Sequence, residues 1–392
     1  MTFEELKKLN SEHILGTYAR NDVAIIEGNG ATVKDISGKE YIDFTSGIGV
    51  CSLGYGNKNI ANAIYNQALK LTHISNLYYT EPCALLAEKL CTKAPEMKKV
   101  FFSNSGAEAN EGMIKTARKY SFDKYKEGRS TIITLKNSFH GRTITTLKAT
   151  GQDTFHNFFH PFTEGFKYVE AENLEELQNN LTPDVCGIML ELIQGEGGVN
   201  VLTKEYIKEI NKLCKEKDIL LLIDEVQTGI GRTGTFFAYQ QYDITPDILT
   251  FAKGIAGGLP LGGFMVSTKC ENTMPAGSHG STFGGNPVSS AAANVVLDTL
   301  TDDFLKEIKN KGNYLKEELQ QLNSPNIKEI RGKGLMLGIE LQNKENKEVL
   351  KEAQQKGLLI LTAESNVIRL LPPLTITKQE LNKGIKILKE LI

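Results

Sequence analysis

Residues 186–192, CGIMLEL, are followed by TKEYIKEINKLCKEK at 203–217 and ILLLI at 219–223, and this stretch decides the fold. The outer pieces are short, almost wholly apolar runs, which read as strands buried on both faces. Between them Thr203 can cap a helix whose apolar residues Tyr206, Ile207, Ile210, Leu213 and Cys214 share one face of a 3.6-residue period. Strand, amphipathic helix and strand form a βαβ unit, and an α/β fold with a mostly parallel sheet is expected. Val100–Phe102, Thr131–Leu135 and Ile248–Phe251 read as further strands.

Polar side chains stand at or just past these strand ends: Ser103-Asn104-Ser105, Phe139-His140, Glu191, Asp224 and Ala252-Lys253. Ligands of open α/β sheets lie beyond the carboxyl ends of the strands, so one shared site is expected. Glycines crowd the span from Gly254 to Gly285, which reads as a long irregular region with close backbone approaches. Helical character returns after Pro287. We therefore expect a large domain over residues 50–287 and a smaller α+β domain made of 288–392 with 1–49.

The 392 residues suit two to three domains at about 150 residues each. With 40% apolar and 23% charged residues the chain is an ordinary globular protein. Its 45 basic and 47 acidic residues leave a formal charge of −2, so no nucleic-acid partner is expected. The six cysteines include no CxxC pair, which suits a reducing compartment and argues against a zinc site; no metal is expected. The N-terminal MTFEELKKLNSEHILG is acidic and lacks an apolar stretch, and no apolar run approaches the ~20 residues of a membrane span. A cytoplasmic protein without a membrane partner is expected.

Some motifs fail on context. Gly229-Ile230-Gly231-Arg232-Thr233-Gly234 matches GxGxxG, the mark of a nicotinamide oxidoreductase. Asp224 to Thr228 separate it from the strand, and no long amphipathic helix follows, so the dinucleotide reading is set aside. His156 and His160 have i, i+4 spacing but lie in FHNFFHP, which reads as a packed aromatic loop rather than a metal site.

Three features carry chemistry. In FFSNSGAE (101–108) Ser105 and Glu108 form a capping box opening a helix at Gly106, and free N–H groups there attract an anion. Asp224 is the first polar residue after five apolar ones, so it is partly buried and needs a partner. Lys253 closes the next strand, where a lysine is ordinarily solvated but, when buried, can be a nucleophile. Pyridoxal phosphate needs all three: a phosphate site, a carboxylate for its ring nitrogen, and a lysine for its aldehyde. Phe139 could stack on the ring.

The collinear stretches 101–118 (FFSNSGAEANEGMIKTAR), 139–143 (FHGRT), 194–198 (QGEGG), 222–234 (LIDEVQTGIGRTG), 246–254 (PDILTFAKG) and 280–287 (GSTFGGNP) resemble the class-III aminotransferases of the fold-type-I pyridoxal-phosphate enzymes. The resemblance implies that Lys253 bonds the cofactor and moves the proton, and that Asp224 pairs with the ring nitrogen. It implies that Gln227 reaches the ring hydroxyl, that Phe139 and Val226 sandwich the ring, and that Ser105, Gly106 and Ala107 hold the phosphate. Thr282 is expected to reach the phosphate of a neighbouring subunit in a homodimer with shared sites. Arg142 and Arg369 are expected to bind substrate carboxylates, Glu191 to pair with Arg369, and Tyr18 to contact substrate. Many relatives carry proline where this chain has Leu192. The implied reaction moves the distal amino group of N2-acetylornithine to 2-oxoglutarate, giving N-acetylglutamate semialdehyde and glutamate in arginine biosynthesis. Ornithine, succinyl-diaminopimelate and 4-aminobutyrate are the alternative donors.

Overall fold

A computed structural model describes residues 1–392. Its centre is a seven-stranded sheet in the order 97–103, 262–267, 248–251, 220–224, 185–190, 131–135, 166–169. All strands run the same way except Gly262–Ser267, which pairs antiparallel with both neighbours. The helix Lys204–Lys217 joins two of the parallel strands. Thr203 caps it by accepting the Tyr206 N–H at 3.3 Å, and its five periodic apolar residues are all buried.

Alternation within Leu220–Asp224 explains why both faces are covered. Leu221 and Ile223 face the main core, which continues to Leu337, Ile339 and Leu370 of the C-terminal region. Leu220 and Leu222 face the opposite side, where Met113, Ile114 and Ala117 of the helix Gly106–Tyr125 cover them.

The strand Gly262–Ser267 lies inside the stretch expected to be irregular. Its first two residues are glycines, which mask a six-residue strand. They are needed there: a Cβ on Gly262 would sit 2.6 Å from the Ser105 carbonyl oxygen, and one on Gly263 2.4 Å from that of Phe101.

Strands 25–29, 32–35 and 40–43 form a separate sheet whose fourth strand, 358–359, comes from the C-terminal region. A third sheet joins 327–333, 336–341, 367–370 and 361–363. Helix Pro287–Thr299 packs on helices Lys58–Lys70 and Glu81–Lys93. No helix is long and apolar enough to cross a membrane.

The GxGxxG segment is a run of turns rather than a strand-to-helix corner. Its Arg232 is buried and ties three regions together. Nη1 donates to the Leu335 and Pro372 carbonyls at 3.0 and 2.5 Å, and Nη2 to Ser46 Oγ at 3.3 Å. Arg232→Met would strand these acceptors. We expect a loss of roughly 3 kcal/mol of stability, measured by urea unfolding.

Candidate active site

The polar strand ends converge on one cavity of about 400 Å³. Ser105, Gly106, Ala107, Phe139, Arg142, Glu191, Asp224, Val226, Gln227 and Lys253 all line it. Tyr18, Thr282 and Arg369 do not.

One end suits an anion. Ser105 caps the 20-residue helix Gly106–Tyr125, its Oγ accepting the Glu108 N–H at 3.2 Å. The expected capping box does not close. Glu108 Oε2 reaches one residue further back and accepts the Asn104 N–H at 2.7 Å and its side-chain amide at 2.9 Å. The Ser105 N–H therefore has no partner within the chain. With the Gly106 and Ala107 N–H groups of the first turn it forms an open donor cluster at the positive end of the helix. Glycine is required at 106 because a Cβ would lie 2.7 Å from Val226 Cγ1.

The middle of the cavity holds a fixed carboxylate. Asp224 Oδ1 accepts the Val226 N–H at 3.0 Å; Oδ2 accepts from Asn110 Nδ2 at 2.7 Å and pairs with His140 Nδ1 at 2.8 Å. Thr250 donates to Asn110 Oδ1 at 2.9 Å and orients the amide. Asp224, Asn110 and His140 are all buried. The donor set assigns His140 the Nδ1–H tautomer and leaves its Nε2 without a partner. His140 is one of the strand-end residues expected at the shared site, but its contact with Asp224 is new, and Asn110 was not expected here at all. Asn110 had left a signal: it shares the sheet-facing side of its helix with Met113 and Ala117, where a polar residue needs a reason.

Lys253 follows the strand Ile248–Phe251 and begins a tight turn with φ of 46°, a left-handed conformation uncommon for lysine. Ser52 Oγ holds the turn by donating to the Gly254 carbonyl at 2.7 Å. Burial holds the Lys253 ammonium below the ordinary lysine range, and the Arg369 charge acts the same way; the Glu196, Asp224 and Glu191 carboxylates oppose both.

The expected pairing of Glu191 with Arg369 is not formed. Arg369, buried on strand Val367–Leu370, makes a bidentate pair with Glu196, at 2.7 and 3.2 Å, and also donates to Gln227 Oε1 at 3.2 Å. Glu191 stands one residue past its strand and turns the other way. Its Oε2 accepts the Phe139 N–H at 2.9 Å, and its Oε1 the Gly195 N–H at 3.4 Å. The hairpin of strands 193–194 and 200–201 is what carries Glu196 to the arginine. Glycines make that possible: a Cβ on Gly195 would meet Gln227 Oε1 at 2.3 Å, and one on Gly197 the Asn137 carbonyl at 2.2 Å. Burial pushes Glu191 up to about 7, with Asp224 adding to the effect and His140 and Lys253 opposing it. Burial also works upward on Glu196, but Arg369 outweighs it and holds that carboxyl below its usual range.

Arg142 is exposed at the cavity rim, 4.0 Å from the Phe155 ring centroid and 5.4 Å from that of Phe139. Tyr18 is 75% exposed and lines a different cavity beside the helix Phe3–His13. Thr282 lines a third cavity with His73, Tyr79 and Cys83. The structure therefore does not bring Tyr18 or Thr282 to the central cavity of this chain. His156 and His160 pack on Phe162, and His156 also on Tyr168, as an aromatic loop would.

The family Aminotransferase class-III matches residues 17–392. The acetylornithine aminotransferase of Haemophilus ducreyi is 51% identical over 394 residues, covering 100% of this chain and 99% of that protein. That of Aquifex aeolicus is 44% identical, covering 97% and 100%. Among solved structures, the N-acetylornithine aminotransferase from Stenotrophomonas maltophilia is 35% identical with a TM-score of 0.85, covering 98% of each chain. The ornithine aminotransferase from Toxoplasma gondii is 31% identical with a TM-score of 0.95, covering 100% of this chain and 94% of that one. Full-length similarity and a cavity built from the family's own motif stretches agree: the chain belongs to the class-III aminotransferases.

Proposed function

We propose that the cavity holds pyridoxal 5'-phosphate and that the enzyme moves the distal amino group of N2-acetylornithine to 2-oxoglutarate in the cytoplasm. The observation that carries this reading is the placement of an amine of lowered basicity, a fixed carboxylate and an open cluster of N–H donors on one cavity. That donor set fits a flat, phosphorylated aldehyde. Pyridoxal phosphate supplies a protonated ring that takes up the electron pair left when a C–H bond beside nitrogen breaks.

The chain's own residues do the rest. Asp224, oriented by the Val226 N–H, Asn110 and His140, would face the ring nitrogen as its hydrogen-bond partner. The N–H groups of Ser105, Gly106 and Ala107 bind the phosphate. Phe139 and Val226, which line the cavity, would bracket the ring, and Gln227 would meet its hydroxyl. Lys253 would hold the group through its aldehyde, and its Nζ is the base placed to move a proton at the reacting carbon. Arg142 holds the carboxylate farthest from the reacting carbon. Arg369 serves the carboxylate next to the reacting carbon of 2-oxoglutarate, and Glu196 covers that arginine when the amine donor is bound. The division into a cofactor-binding domain, 50–287, and a smaller domain, 288–392 with 1–49, is supported by a central sheet lying wholly within 97–267. Six unpaired cysteines suit the cytoplasm.

The purified enzyme should show a visible absorption band that borohydride reduction abolishes; a colourless protein that gains no band with added cofactor would sink the cofactor assignment. Comparing kcat/KM for N2-acetylornithine, ornithine, succinyl-diaminopimelate and 4-aminobutyrate tests the donor. A higher value for any of the last three would replace acetylornithine.

Thr282 lies outside its own chain's cavity and lines another with the exposed Tyr78 and Tyr79. This supports a homodimer in which Thr282 completes the neighbour's phosphate site. Thr282→Ala should weaken cofactor retention. Mixed dimers of Thr282→Ala and Lys253→Ala chains should regain activity, because one of their two sites carries neither lesion. Mixed dimers with only half the activity of the Thr282→Ala parent would mean that each site is built within one chain.

A further inference from the structure

Glu191 is a buried carboxylate that lines the cavity without touching Arg369. Its two oxygens take backbone N–H groups from two separate walls. Oε2 accepts from Phe139, the ring-stacking residue, at 2.9 Å. Oε1 accepts from Gly195, the residue before Glu196, at 3.4 Å. Gly195 lies so close to Gln227 that a Cβ would clash with it, and Gln227 itself accepts from Arg369. The Glu196 hairpin is therefore held from one side by Gln227 and from the other by Glu191. His140, Asp224 and Lys253 are the charged or titratable groups facing Glu191.

We infer that Glu191 is a positioning residue that locks the Glu196 hairpin in register with the Phe139 wall, so that Glu196 stays seated on Arg369. This rests on the Glu196 cover proposed above. Withdrawing either acceptor oxygen frees the hairpin, loosens the cover and exposes Arg369 to a dicarboxylate. A carboxylate acting only through its charge would behave differently, since a shortened side chain keeps the charge and loses only the reach.

The test titrates holoenzyme with glutarate, a dicarboxylate without a carbonyl to react, at about pH 8, where Glu191 is ionised. Binding is read from the shift of the cofactor band, so no turnover is required. Glu191→Asp and Glu191→Gln should both tighten glutarate binding several-fold. In a Glu196→Gln background, already uncovered, neither should tighten it further. Tightening by Gln but not by Asp, or equal tightening in both backgrounds, would reveal a charge effect and overturn the inference. No tightening by either variant would overturn it too. Should Glu191→Gln not fold, the Asp variant decides alone. If Glu196→Gln itself leaves glutarate affinity unchanged, the cover reading fails with it; if only the Glu191 variants are silent, the cover stands and the locking role falls.

Discussion

Lys253→Ala is expected to lower turnover by at least ~10³-fold while leaving the protein folded and still able to take up pyridoxal phosphate. The size follows from two roles lost together. In the proposed reaction the side chain both seats the cofactor and moves the proton, and no other amine lines the cavity. Retained folding is expected because Lys253 makes no side-chain hydrogen bond or salt bridge within the chain, and burial disfavours its charge. Removing it should relieve electrostatic cost rather than strand a partner. Cofactor retention is expected because the Ser105–Ala107 donors and Asp224 do not depend on the lysine. Single-turnover spectra with the amine donor decide the matter. Near-normal turnover would remove Lys253 from the chemistry, and failure to fold would show that the left-handed turn at 253 needs the long side chain.

The parts of this site that were legible from sequence are those set by local rules. Asp224 ends one apolar strand and Lys253 stands two residues past the next, where the first polar residues emerge. Ser105 caps a helix, and capping is a short-range pattern. Gly262–Ser267 was hidden because its strand begins with glycines whose value is apparent only beside Ser105 and Phe101. The network on Asp224 was hidden because Asn110, His140 and Thr250 lie on three different elements. Their meeting is a property of the sheet order, which no local spacing encodes. The resemblance pairs Glu191 with Arg369, although Glu196 stands five residues away in QGEGG (194–198). Both are acids near one strand end, and only the hairpin decides which of them faces the arginine.

That hairpin leads to the second large effect. Two unlike substrates must use one cavity: an amine donor with its carboxylate far from the reacting carbon, and 2-oxoglutarate with a carboxylate next to it. A bare guanidinium near the ring would favour the acceptor and oppose the donor's cationic end. Glu196 covers Arg369 in the structure with two charge-assisted bonds, and the arginine is 2% exposed. Opening the pair exchanges one carboxylate partner for another, so the switch costs little overall. Arg369→Ala should therefore damage the 2-oxoglutarate half-reaction by about 2–3 kcal/mol, or roughly 30- to 150-fold in kcat/KM, while largely sparing the amine half. Glu196→Ala should do the reverse: 2-oxoglutarate binds as well or better, the distal-amine half slows, and glutamate reacts faster through its α-amino group. The competing account is a structural ion pair joining the hairpin to strand Val367–Leu370. Breaking such a pair leaves a buried charge unpaired and costs stability whichever partner is removed. It would lower both half-reactions together in both variants, with a matching drop in melting temperature. Opposite asymmetries with similar melting behaviour establish the switch, and parallel losses establish the structural pair.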